Sequence, residues 1–81
     1  MRYEALFGPN TKQFWLYDNV NDTYIDPPTV VLREADDIRF ENGTGTADSI
    51  SKAESYLEKI AATEPDWLHD GNEYPADEWD M

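Results

Sequence analysis

The side chains able to do chemistry in this 81-residue chain are one histidine, eighteen carboxylates and three serines; cysteine is absent. Nucleophilic catalysis needs an attacking group, a base within hydrogen-bond reach and usually a third group that orients the base. Ser49, Ser51 and Ser55 are the only serines available to His69, and they fall on the polar side of a helical pattern with nothing resembling a nucleophile elbow around them. His69 reads as a solvated residue inside an acidic segment. Glycoside hydrolysis asks for two carboxylates at a fixed separation across a sugar-binding cleft. Asp36 with Asp37 and Asp77 with Glu78 are sequence neighbours in turn-like and tail-like surroundings, and read as solvated charges. No catalytic residue is expected.

Bound ions fare no better. The run DNVNDTYID at residues 18–26 and DGNE at residues 70–73 cluster oxygen ligands. The first lacks glycine at the sixth loop position, and its twelfth residue is Thr29 where an EF-hand has a bidentate glutamate. The GTGT stretch at residues 43–46 is no phosphate cradle, because no lysine follows and the next helical turn brings an aspartate. Neither metal nor cofactor is expected.

The carboxylates therefore matter as a surface. Eighteen acids against six bases give a net charge of −12 and an isoelectric point near 4.1. Residues 1–63 hold eleven acids and all six bases, whereas residues 64–81 hold seven acids and no base. Such a charge disfavours direct contact with nucleic acid or anionic lipid, whose phosphates are bound by lysine and arginine, and draws the chain toward basic proteins. Acids interleaved with aromatic rings suit that partner, since an arginine can stack on a ring while pairing with a carboxylate. The candidate partner-binding residues are Asp66, Asp70, Glu73, Tyr74, Asp77, Glu78 and Trp79 near the C-terminus, Glu54 and Glu58 on a helix, and Asp36 and Asp37 in the middle of the chain.

The elements that must carry them follow from local pattern. Residues 2–7 and 12–18 are rich in strand formers, and alternation in the second places Phe14 and Leu16 on one face with Trp15 and Tyr17 on the other. The NVND turn at residues 19–22 returns the chain into a short third strand, residues 23–25. Pro27 and Pro28 stop it. Residues 29–38 admit two readings: a short helix capped by Thr29 and burying Val31, Ala35 and Ile38, or a strand favoured by the adjacent valines and followed by a further strand over residues 38–42. The clearest helix is residues 47–63, where Ile50, Ala53, Leu57, Ile60 and Ala61 share a face and Thr46 or Asp48 can cap.

The expected fold is thus α+β, a small antiparallel sheet of three to five strands packed against one C-terminal amphipathic helix. Residues 1–69 form the domain, with Trp67 and Leu68 folding back on it. Residues 70–81 form an acidic aromatic tail, in which DGNEY is a turn and the rest is mobile until a partner orders it. The first fifteen residues lack the apolar run of a signal peptide, and no stretch approaches the roughly 20 apolar residues that span a bilayer, so a soluble cytoplasmic protein is expected.

In size, acidity, lack of cysteine and sheet-plus-helix build, the chain resembles the small phage-encoded inhibitors of bacterial defence, the anti-CRISPR and anti-restriction proteins, several of which mimic nucleic acid. The resemblance covers composition over the whole chain and no motif. It implies a non-enzymatic inhibitor in the host cytoplasm that binds a basic nucleic-acid-handling protein or nucleoprotein complex and blocks its groove. Two other readings fit the composition: an adaptor or assembly protein docking through a sheet edge or its aromatic tail, and a chain whose acids serve solvation at high salt.

Overall fold

A computed structural model describes residues 1–71 and 73–77. Strand alternation organises it. β1 (Tyr3–Phe7) and β2 (Phe14–Asp18) pair antiparallel with Tyr3 opposite Asp18 and Phe7 opposite Phe14. β2 pairs with β3 (Thr23–Ile25), Leu16 opposite Ile25, across the 19–22 turn, in which Asp22 takes a left-handed φ of 53°. Because successive residues point to opposite faces, Tyr3, Ala5, Phe14, Leu16 and Ile25 share one side, and all are buried. The expected meander over residues 2–25 is present.

Two helices cover that face where one was expected. Residues 29–41 form helix α1 (Thr29–Glu41), which corrects the strand readings of residues 30–33 and 38–42. The three-and-four spacing of Val31, Ala35 and Ile38 prevails over the strand preference of the valines, because a helix can lay these side chains on the core together. Thr29 is the first helical residue and not the cap. Pro28 holds that place in extended backbone, its carbonyl accepting from the Val31 and Leu32 amides at 3.0 Å each. At the other end the Asn42 side chain donates to the Ile38 carbonyl at 2.8 Å, and Gly43 turns the chain with a φ of 98°, a conformation glycine adopts without penalty.

Helix α2 (Ala47–Ala62) matches expectation closely. Thr46 caps it, its hydroxyl accepting from the Ser49 amide at 3.1 Å. Ala53, Leu57 and Ala61 are fully buried, with Ile50 and Ile60 packed beside them. Leu16, Ile25, Leu57 and Leu68 show no exposed surface, and burial of each contributes about 2 kcal/mol.

After α2 a 3₁₀ turn, Asp66–His69, returns Leu68 into the core with Trp67 packed against it, as expected. The next segment is a further correction. Residues 73–75, expected to lie in a turn and a mobile tail, form β4 (Glu73–Pro75), antiparallel to β3 with Tyr74 opposite Tyr24. The Ala76 amide extends the pairing to the Asp22 carbonyl at 3.2 Å. The sheet order is β1-β2-β3-β4. The chain is therefore α+β, with a four-stranded antiparallel sheet and two helices on one face. Neither helix ends the chain, since β4 follows.

One buried carboxylate ties the strands at one end. Asp18, 1% exposed, accepts from Arg2 Nε and Nη2 at 3.1 Å each, from the amides of Val20 at 2.9 Å and Asn21 at 3.3 Å, and from Asn21 Nδ2 at 3.1 Å. Burial pushes the Asp18 carboxyl up, but the Arg2 hydrogen bonds and the Val20 and Asn21 amides outweigh it and hold the group below its ordinary value. A depressed aspartate adds stability that is fully present above its unfolded value, about 3.9, and is lost as pH falls through the folded value. Asp18→Asn is expected to lower stability at neutral pH by about 2 kcal/mol. In urea titrations, the gap between native chain and variant should close as the pH falls below about 4.

Candidate partner-binding surface

The acids singled out in the sequence are spread over several elements. On α1, Asp36 sits 3.4 Å from Arg39 Nη2, and Asp37 is exposed beside it. Asp66 and Asp70 are exposed at the two ends of the 3₁₀ turn. Glu73, half-buried in β4, lies 3.6 Å from His69 Nδ1, and Asp77 is exposed after the strand. Tyr74 is half-buried, its ring edge-on to Trp15 at 6.1 Å. Glu78 and Trp79 lie outside the described residues.

Glu54 and Glu58 have internal work. β1 is an edge strand, and the Ala5 amide donates to Glu58 Oε2 at 3.1 Å. One helical turn away, the Phe7 amide lies close enough to Glu54 to pull its carboxyl down. Glu58 thus occupies an edge donor that another strand would need. The arrangement crowds like charges: burial first, then the field of Glu58, raises the Glu54 carboxyl above its ordinary value against the pull of the Phe7 amide.

The sheet face away from the helices holds what sequence reasoning missed. Alternation places Glu4, Leu6, Trp15, Tyr17, Tyr24 and Tyr74 there. The register lines four of them up in one row across all four strands: Glu4 opposite Tyr17, Tyr17 opposite Tyr24, Tyr24 opposite Tyr74. The Tyr17 and Tyr24 rings lie 5.2 Å apart, tilted by 52°. The Tyr17 hydroxyl donates to Asp22; that bond first, then burial, pushes its pKa up to about 12 and fixes the ring. In the next row Trp15 faces Leu6 and donates its indole N–H to Thr11 at 2.9 Å. The sequence already placed Trp15 and Tyr17 together, and the four-residue turn at residues 19–22 could have added Tyr24. Nothing local announces Tyr74, because β4 forms only through pairing with β3.

The six bases lie off this row. Arg33, Arg39, Lys52 and Lys59 belong to the helices, Arg2 is bound to Asp18, and Lys12 sits in the β1–β2 loop. Among the described residues, no three histidines or acids converge where a metal ion could be held, and no helix is long and apolar enough to cross a membrane. An open groove of about 340 Å³ runs between the N-terminus and the end of α2, lined by Arg2, Tyr3, Glu58 and Glu64 among others, with no histidine or serine in its wall. Compared with known proteins, the chain matches no family model, no curated sequence and no solved structure.

Because the Glu54 carboxyl is raised in the fold, its charge is a penalty above that folded value and is relieved as pH falls through it. Glu54→Gln removes the charge that burial and Glu58 disfavour. It is expected to gain about 0.5 kcal/mol at neutral pH, a gain that fades on acidification and is read from paired thermal melts.

Proposed function

We propose that the chain is a non-enzymatic inhibitor that binds a basic nucleic-acid-handling protein complex and occupies a groove otherwise filled by DNA or RNA. A CRISPR effector is the partner class implied by its resemblance to small acidic defence inhibitors. One observation carries the reading: carboxylates are exposed on β1, on both helices, on the 3₁₀ turn and in the turns between elements, while several of the few cations are paired with acids of the chain itself. Arg2 is committed to Asp18 and Arg39 to Asp36, and Lys52 is within 3.6 Å of Asp48. Glu4, Asp22, Glu34, Asp37, Asp66 and Asp77, by contrast, are exposed on strands, turns and α1. A small body with such a surface offers negative charge to a groove that otherwise holds the phosphates of DNA or RNA. It steers toward a positive groove through the same field.

The adaptor reading is weaker at one of its two contact points. Docking by strand addition at β1 would have to displace Glu58 from the Ala5 amide.

The test begins with a partner recovered from bacterial lysate at about 0.05 M salt and lost at about 0.5 M, where screening is nearly complete. The chain is then expected to displace a fluorescent nucleic-acid probe from that purified partner. Joint Asp66→Asn, Asp70→Asn, Glu73→Gln, Asp77→Asn and Glu78→Gln substitution should weaken displacement by about tenfold or more. Full displacement after this change, and after a parallel series at Asp36, Asp37, Glu54 and Glu58, excludes mimicry.

A further inference from the structure

We infer that Asn42, followed by Gly43, is a site of spontaneous covalent modification, where the side-chain amide is converted to a carboxylate at a rate set by a clamp that Ile38 and Lys52 place on it. The inference stands independently of the inhibitor reading.

Three observations carry it. The first lies in the sequence. Of the five asparagines, Asn42 is the one followed by glycine; Asn10, Asn19, Asn21 and Asn72 precede Thr11, Val20, Asp22 and Glu73. An asparagine loses its amide when the backbone nitrogen of the next residue attacks the side-chain carbonyl carbon, and a side chain on that next residue stands in the way. Glycine has none. The Gly43 nitrogen gives up its proton and bonds to Asn42 Cγ, the Cγ–Nδ2 bond breaks, and Nδ2 leaves as ammonia with that proton. Water then opens the five-membered imide at one of its two carbonyls, leaving aspartate or isoaspartate. No cofactor or oxidant is needed.

The second is the state of the nucleophile. Gly43 is exposed in the connector between α1 and α2, and its amide reaches the Phe40 carbonyl only at 3.5 Å, the outer limit of a hydrogen bond. The attacking nitrogen is accessible and weakly held.

The third is the state of the group attacked. Asn42 Nδ2 donates to the Ile38 carbonyl at 2.8 Å, and Asn42 Oδ1 accepts from Lys52 Nζ at 2.9 Å. Both polar atoms of the side chain are thus engaged. The backbone ψ of Asn42 is 15°, and closing a near-planar imide ring needs a rotation well away from that value. The Ile38 bond must break for Cγ to swing onto the Gly43 nitrogen, so reaction proceeds from a locally opened state. Each such bond slows opening by about fivefold. Lys52 is the weaker restraint, since its side chain is 54% exposed and also lies 3.6 Å from Asp48.

Conversion has consequences for the fold. An aspartate takes the net charge from −12 to −13, has no N–H for the Ile38 carbonyl, and stands at the negative end of the α1 dipole. An isoaspartate adds a main-chain carbon to the link between the helices. Either product removes the side-chain cap from the last turn of α1.

The experiment incubates the full chain at mildly alkaline pH, digests it at intervals and weighs the peptides by mass spectrometry, where each conversion shows as the mass change of amide to acid. Asn42 is expected to convert before the other four asparagines, and about tenfold or more faster in denaturing urea than in the fold. In the folded chain, Lys52→Met is expected to speed conversion about fivefold. Lys52→Ala takes its place if circular dichroism shows that Lys52→Met fails to fold. Earlier conversion of another asparagine, or equal rates in urea and in the fold, overturns the inference. An unchanged or slower rate in the Lys52 variant also overturns it, a slower one making the ammonium an activator of the Asn42 carbonyl instead of a restraint.

Discussion

The register of the β1–β2 pair is the constraint on which the rest of the molecule depends, and the Asp18 carboxylate holds it. A strand's side chains alternate with period two, so a slip of one residue would exchange Ala5 for Glu4 and Leu16 for Tyr17 at the core. Asp18 opposes such a slip by gripping Arg2 at the start of β1 and the Val20 and Asn21 amides in the following turn. One buried charge thereby couples the strand that α2 covers to the hairpin that completes the outer row. Its isolation from solvent is tolerable only because five donors converge on it.

Charge and packing pull in opposite directions here. A net −12 on 81 residues favours expansion, and a chain this short buries about 60% of its unfolded surface. The fold responds by placing part of its acidity where it does structural work. Asp18 binds a turn, Glu58 blocks an edge donor, and Asp36 holds Arg39 against two phenylalanines. Acid count alone therefore overstates the surface offered to a partner, and composition cannot separate the two kinds of carboxylate.

What could be read from sequence divides by the range of the interactions involved. The 3–25 meander and α2 are local: strand alternation, a turn-forming NVND and an i, i+3, i+4 stripe capped by Thr46 lie within a few residues of one another. α1 is a contest between the β-branched Val30 and Val31 and the apolar spacing that continues through Ala35, decided by packing against the core. β4 has no local signature, since a three-residue segment ending in proline gains its form only from β3. The candidate surface inherits the same division. Acidity was visible at once, half of the aromatic row followed from β2 and β3, and the alignment of Glu4 with three tyrosines required the register of the whole sheet.

The closed edge at β1 also bears on how copies of this protein can meet. A sheet with two open edges is a template that extends in both directions, the route to fibres. With the Ala5 amide already taken by Glu58, a strand arriving at β1 would first have to displace a carboxylate. A carboxylate on a helix thus makes extension of the sheet at this edge costly.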